Sequence, residues 1–420
     1  MASLNRRARR CLITNPEEPA VTTVTLSRID DALAALKDEH LAQSLYDEGK
    51  VIMDSVLLTL HGEEHRKRRM LEFRVFRRSF FRYYETEVFP RALEELMAPI
   101  RAAGGCDLVE FGHRITVNLT ADFAGIDRPE RSIDETEALL GYVRTFGEGA
   151  TLVHSTRDKD EVRGEVRLAL QRFEQELLAP SIARRVALIR QLERGEIDET
   201  ALPRDVLTVL LRNEDKVDLP ADVLCREIAF YLQAGSHSTS SSTVHAFHHI
   251  TEWMAAHPED RERILGDPLF LQRCVHESLR LHPASPVSWR KPLCPVQLRN
   301  GATAMPDDRV EIDLWTANRQ VDVFGADAEE FNPHRTVPTG HEPFGLTFGT
   351  GVHTCLGRDL DGGVVPRGAV NPETHQYGII ALIVRALLAS GAVSDPSNPP
   401  QEATHTERRN WGHYPVLFRR

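Results

Sequence analysis

The chain has 420 residues, 41% apolar and 27% charged, a composition that excludes a disordered or fibrous protein. A formal net charge of −11 argues against general nucleic-acid binding, and no apolar run approaches the roughly 20 residues that span a bilayer. None of the six cysteines (11, 106, 225, 274, 294 and 355) forms a C-x-x-C pair, so neither a zinc cluster nor, in a reducing compartment, a disulfide is expected. The N-terminal MASLNRRARRCLIT is basic, but CLIT is too short for a secretory apolar core, and a cytoplasmic location is expected.

Helical periodicity dominates from about residue 25 to 285. ALEELMAPIRAA, VRLALQRFEQELLAPSIARRVALIRQLERG and DVLTVLLR each carry apolar residues three or four apart. LPADVLCREIAFYLQAGSH opens a further helix, with Pro220 suited to its first turn, and its pattern continues through VHAFHHITEWMAA. LFLQRCVHESLRLHP is another helix, ended by Pro283. Residues 286–420 are mixed: PVQLRNGATAMP predicts a hairpin turning at Asn300-Gly301, and DRVEIDLWTAN alternates as a half-buried strand does. A helix is expected to resume near His375, and HYPVLFRR closes with a strand. No repeat or flexible linker divides the chain. A single domain over 1–420 is expected, mainly α with a small β-rich part (α+β).

The most specific stretch is PFGLTFGTGVHTCLGRDL. A metal-bound thiolate needs backbone N–H groups aimed at its sulfur, and glycines allow the tight turn that aims them. Phe348-Gly349-x-Gly351-x-His353-x-Cys355-x-Gly357 resembles the F-G-x-G-x-H/R-x-C-x-G signature of the cytochrome P-450 superfamily at every fixed position. The resemblance implies the P-450 fold, haem b ligated by the Cys355 thiolate in the loop 348–357, and Phe348 covering one face of the ring.

Further stretches resemble the same family in the same order. ESLR, Glu277 to Arg280, resembles its E-x-x-R helix, and FNPHR supplies Arg335; the resemblance implies a structural ion cluster of Glu277, Arg280 and Arg335. HGEEHRKRR resembles the H-x-x-x-R helix, giving His65 and Arg69, and with Arg290 and His353 these are implied haem-propionate partners. AGSHST stands where the family has A/G-G-x-D/E-T-T/S on the helix over the haem. Ser238 then takes the role of the alcohol that bonds the carbonyl four residues back (Ala234) and helps deliver protons, with Thr239 following. His237 replaces the usual acid. Its unperturbed pKa of about 6.5 would permit proton transfer near neutrality.

On the same helix, residues 234, 237, 238, 241, 245 and 248 share one face, with His245 and His248 expected near the surface. Phe230, Tyr231, Ala234, Ser285 and Val287 are the expected substrate-pocket residues, suited to a small or medium organic substrate of low charge.

The reaction expected is insertion of one O₂ oxygen by hydroxylation or epoxidation, in secondary metabolism, with ferredoxin and ferredoxin reductase as separate electron donors. Haem-thiolate chemistry of another kind (peroxide-driven oxidation, oxidative coupling, dehydration, isomerisation) is the alternative. RKRRMLEFRVFRR, residues 66–78, holds seven Lys/Arg against one Glu and is the expected ferredoxin dock. Neither a nucleic-acid nor a membrane partner is expected. Two departures stand out: a Gly/Pro-rich insertion over 362–374 after the cysteine loop, and little room for the helix and two strands that usually precede VTTVTLSRIDD.

Overall fold

A computed structural model describes residues 22–217 and 219–419; the basic N-terminus read above, with Cys11, lies outside the described residues. Helices build most of the chain, and a small four-stranded sheet lies to one side. Its order is Thr23–Leu26, Arg309–Asp313, Val287–Pro292, Leu41–Gln43; the first pair is parallel and the others antiparallel. Arg309–Asp313 shows the predicted alternation, with Val310 and Ile312 buried. The Asn300-Gly301 hairpin forms between Val296–Gln297 and Thr303–Ala304, with Gly301 at φ +90°. The terminal strand Pro415–Phe418 pairs with Gly105–Asp107 and Ala392–Ser394.

The 36-residue helix Ala221–Ala256 runs unbroken through the centre, with Pro220 at its N-cap rather than in its first turn. Its hydroxyl-rich middle lets a neighbour approach closely. A Cβ on Gly112 would sit 2.6 Å from Ser240 Oγ, and one on Gly235 would sit 2.6 Å from Thr120 Cγ2. Small residues thus seat this helix against Leu108–Ala124, and Thr116 Oγ1 bridges them through the Ser236 carbonyl and hydroxyl (both 3.0 Å).

The run read as one helix around residues 166–195 contains a wider turn. Lys159–Phe173 passes through a π-helical segment, Glu174–Leu178, into Ala179–Glu193. A second such segment, Tyr84–Val88, precedes Phe89–Ala103. Each ends two residues before a proline, Pro180 and Pro90. Proline has no N–H and crowds the carbonyl four residues back, and widening the turn relieves both defects.

The helix after the cysteine loop is short, Arg358–Asp361, and regular helix resumes at Ile379 rather than near His375. The chain leaves and returns at nearly one point: a Cβ on Gly378 (φ +92°) would lie 2.4 Å from the Gly363 nitrogen (φ +73°). Polar contacts fix the excursion. Gln272 Nε2 donates to the carbonyls of Gly362, Val364 and Gln376 (3.1–3.3 Å), His276 Nε2 lies 2.7 Å from the Gly362 carbonyl, and Gln376 Nε2 donates to Asp359 O (2.6 Å).

Glu85, buried, accepts the Tyr377 and Gly378 N–H groups (2.7 and 3.2 Å) at the point of return. Burial raises its pKa from 4.5 to about 7 despite those bonds. The folded chain therefore binds this proton more tightly than the unfolded one. The stability it contributes is present below pH 4.5 and is lost as pH rises to about 7, some ~3 kcal/mol in all. Glu85→Gln should flatten this part of the stability profile in denaturant titrations between those limits; an unchanged slope would remove Glu85 as its source.

Candidate active site

The loop around Cys355 is shaped by Gly349 (φ +62°) and Gly351 (φ +74°). A Cβ on Gly351 would meet the Leu36 carbonyl at 2.6 Å, so glycine lets the loop close on the helix Ile29–Lys37. Cys355 N–H donates to the Phe348 carbonyl (2.9 Å), and the Gly357 N–H favours the charged sulfur. Phe348 packs edge-on against Phe344 (5.0 Å, 85°). The sulfur opens into a cavity of about 320 Å³. Burial pushes the Cys355 thiol up to about 12, the Asp361 carboxylate adds to this, and the Gly357 N–H opposes it. Such a thiol ionises readily only against a cation that binds it.

One wall of the cavity is basic: His65 and Arg69 from helix Gly62–Glu72, Arg290 from strand Val287–Pro292, and His353 from the turn Gly351–His353. The two imidazoles stand 4.3 Å apart at 51°. His65 Nε2 and both ring nitrogens of His353 are buried with no hydrogen-bond partner. Burial, then Arg69, holds His65 at about 4; burial, then His65 and Arg290, holds His353 at about 3. Arg69 donates to the Thr354 carbonyl, and Arg290 to Gln43 Oε1 (3.1 Å), Ser288 Oγ (2.6 Å) and the Trp289 carbonyl (2.9 Å). Burial lowers Arg290 to about 10, so it stays charged at neutrality. Among the described residues, neither arginine is paired with a carboxylate.

Behind the cavity the charges are paired. Arg280 forks onto both Glu277 oxygens (2.7 and 2.8 Å), and Arg335 Nε donates to Glu277 Oε1 (2.9 Å) and Nη1 to Asp327 (2.6 Å). Arg280 also donates to the Asn318 and Ala328 carbonyls (2.7 Å each).

The central helix forms the opposite wall. Phe230, Tyr231, Ala234, Gly235 and Ser238 line the cavity, and so do Ser285 and Val287. Ser238 Oγ donates to the Ala234 carbonyl (2.6 Å). Thr239 turns away and donates to Asp361 Oδ1 (2.9 Å), a carboxyl that burial raises to about 7. His237 does not border this cavity; it stacks on His113 (5.7 Å, 17°).

The cytochrome P450 family model matches residues 22–360. The chain belongs to the cytochrome P450 family. The pulcherriminic acid synthase of Bacillus subtilis (strain 168) is 26% identical over 81% of this P450 and 79% of its own length. Cytochrome P450 CYP94D109 of Paris polyphylla is 23% identical over 77% and 71%. Among solved structures, HmtT, involved in himastatin biosynthesis, superposes with a TM-score of 0.72 at 21% identity, covering 97% of this chain and 96% of its own. CalO2 gives 0.71 at 20%, covering 94% and 90%.

The P450 is a haem-thiolate monooxygenase, and the cavity fits that cofactor. Cys355 supplies the sulfur ligand. The orphaned nitrogens of His65 and His353 and the unpaired Arg69 and Arg290 are what two propionate carboxylates require.

Two expectations are corrected. Burial, reinforced by His113 and Arg408, holds His237 at about 3 rather than near 6.5, so it is a neutral imidazole at physiological pH. His245 is not near the surface: it is buried, stacked on His282 (4.1 Å, 18°), with both ring nitrogens unpartnered. His248 is half-buried, its Nδ1 3.1 Å from the Tyr414 hydroxyl.

The sequence reading missed Asp361 and a second buried ion cluster. In that cluster Arg68 pairs with Glu72 and Glu227, Tyr231 donates to Glu72, and the Leu57 N–H donates to Glu227 (3.0 Å). Only the apolar neighbourhood of Glu227 on its helix hinted at burial.

Arg290→Gln should purify with sharply reduced haem content at unchanged helical circular dichroism. Full haem retention would show that the basic wall does not hold the propionates.

Proposed function

We propose that this P450 hydroxylates or epoxidises a small or medium organic substrate and receives electrons from an acidic ferredoxin. The observation that carries the oxygen-activating reading is the Ser238 hydroxyl on the cavity wall, bonded to the carbonyl one turn back. When bound, the haem supplies an electron-rich, thiolate-ligated iron that activates O₂.

The chain supplies the surroundings. Ser238 spends its own proton on the Ala234 carbonyl, which leaves its oxygen lone pairs free to accept from a water and hold it at the cavity wall. His237, held neutral and set back from the cavity against His113, stores no proton at physiological pH. Phe230, Val287 and the ring of Tyr231 form apolar walls that keep bulk water from the site. Thr239, tied to Asp361, fixes the central helix against the short helix Arg358–Asp361 that follows the ligand loop, and is a positioning residue in this scheme. The similar pulcherriminic acid synthase, and HmtT of himastatin biosynthesis, support a place in secondary metabolism.

Of the seven cations over residues 66–78, Arg68 is buried with its carboxylates and Arg69 turns to the cavity. Arg66, Lys67, Arg74, Arg77 and Arg78 remain on the surface, around exposed Met70 and Phe73. An apolar centre with a cationic rim, on the helix that carries His65 and Arg69, suits an acidic carrier held briefly by charge and released readily.

Ser238→Ala should divert most reducing equivalents to hydrogen peroxide, lowering product per NADPH by about tenfold or more; unchanged coupling would exclude Ser238 from proton delivery. Reversing charge at Arg74 and Arg77 to Glu should raise the KM for ferredoxin and weaken its salt dependence, with peroxide-driven turnover unaffected. An unaltered KM would place the dock elsewhere.

A further inference from the structure

A second cavity, of about 200 Å³, lies beside the first and shares Ala284 with it. The central helix contributes Ser241 and His245, the segment after the Glu277–Arg280 helix contributes His282, and the loop between strands Gln401–Glu402 and Trp411–His413 contributes Arg408 and Asn410.

That loop is held firmly on two sides. Ser241 Oγ and Asn410 Oδ1 are 2.9 Å apart. On the other side the Thr156 N–H donates to the His405 carbonyl (3.2 Å), the Glu407 N–H to the His154 carbonyl (2.9 Å), and the Arg408 N–H to Thr406 Oγ1 (3.2 Å). Its backbone is therefore fixed before any ligand arrives.

Arg408 has no side-chain partner. Its guanidinium makes no hydrogen bond and no ion pair among the described residues, and its Nε is sealed from solvent. It lies near the Tyr46 hydroxyl, on the wall of the cysteine cavity, and burial keeps that phenol neutral. Its other titratable neighbours are imidazoles: His237 on the central helix, and His154, whose buried Nε2 is also unpartnered. Glu407, the carboxylate next to it in the chain, and Arg409 also line this cavity, but both are exposed. Arg408 pairs with neither carboxylate nor carbonyl among the described residues, so a desolvated guanidinium whose inward neighbours are neutral imidazoles and a phenol is left without an anion.

We propose that Arg408 binds a carboxylate of the substrate and thereby sets the position of the carbon presented above Cys355. It is a specificity-determining residue. The inference rests on the haem-thiolate monooxygenase reading and narrows its substrate class to organic acids bearing an anionic group some distance from the oxidised carbon. This revises the low-charge substrate expected from the pocket's apolar residues, because the charge is received outside the apolar part of the site.

The test uses the holoenzyme and ω-(imidazol-1-yl)alkanoic acids of increasing chain length, each beside its methyl ester. The imidazole reports through the shift of the Soret band, and the two members of a pair differ only in the charge. At a length that spans the two cavities, the acid should bind at least about tenfold more tightly than the ester. Arg408→Gln should abolish that preference while leaving the Kd of the ester unchanged, which also shows that the pocket is intact; Arg408→Lys should restore part of it. Equal binding of acid and ester at every length overturns the proposal, and so does a preference that survives in Arg408→Gln. Loss of haem from Arg408→Gln also overturns it, assigning the guanidinium to the cofactor. Failure of the underlying reading has a different signature: no probe of either kind shifts the Soret band, and the ferrous–CO complex lacks the red shift of thiolate ligation.

Discussion

Buried positive charge that the protein does not itself neutralise organises this molecule. Taking an arginine out of water costs several kcal/mol unless a carboxylate comes with it. Most buried arginines here obey that constraint: Arg68 with Glu72 and Glu227, Arg185 with Asp205, Arg280 and Arg335 with Glu277. Among the described residues Arg69, Arg290 and Arg408 have no carboxylate partner, and all three line cavities. Paired charge marks the scaffold and unpaired charge marks places that receive something. The same division sets the histidines. His65, His237 and His353 are held neutral by burial and by nearby cations, and so add donors without adding more uncompensated charge.

The hydroxyl-rich middle of the central helix serves two ends at once. One alcohol, Ser238, faces the cavity. The others mostly do packing work: Ser236 meets Thr116, Ser240 fits against Gly112, Thr243 bonds the Thr239 carbonyl (2.8 Å), and Thr239 reaches Asp361. Small side chains bring the neighbouring helix close; Ser236, Ser238, Thr239 and Thr243 find a local or nearby acceptor, while Ser240 Oγ is buried against Gly112 without one.

What was legible in the sequence shares one property: it is local, or held at fixed intervals by a motif. The glycines before Cys355, the i, i+4 pair of His65 and Arg69, and Glu277 with Arg280 one turn apart all have spacings that report their geometry. What was not legible joins residues far apart in the chain. Thr239 and Asp361 are 122 residues apart, Arg68 and Glu227 are 159 apart, and no periodicity encodes either meeting. The pKa of His237 was misjudged for the same reason, since the elements that bury it, and then His113 and Arg408, come from remote parts of the chain. The π-turns before Pro90 and Pro180 are an intermediate case: each proline was visible, but a helix can answer it by ending, kinking or widening, and packing chooses.

The excursion that leaves at Gly363 and returns at Gly378 has a consequence for how such a chain can change. Because its two ends meet and are tied by Val364, His375, Gln376 and Tyr377, the residues between them, 365–374, can lengthen, shorten or vary without moving Cys355 on one side or the helix Ile379–Ala389 on the other. Arg78 and Arg82 border the surface that it forms with Asn371 and His375. The protein thus carries, next to its cationic face, a segment whose sequence is uncoupled from the geometry of the metal ligand: a site where recognition of other proteins can diverge while the chemistry stays fixed.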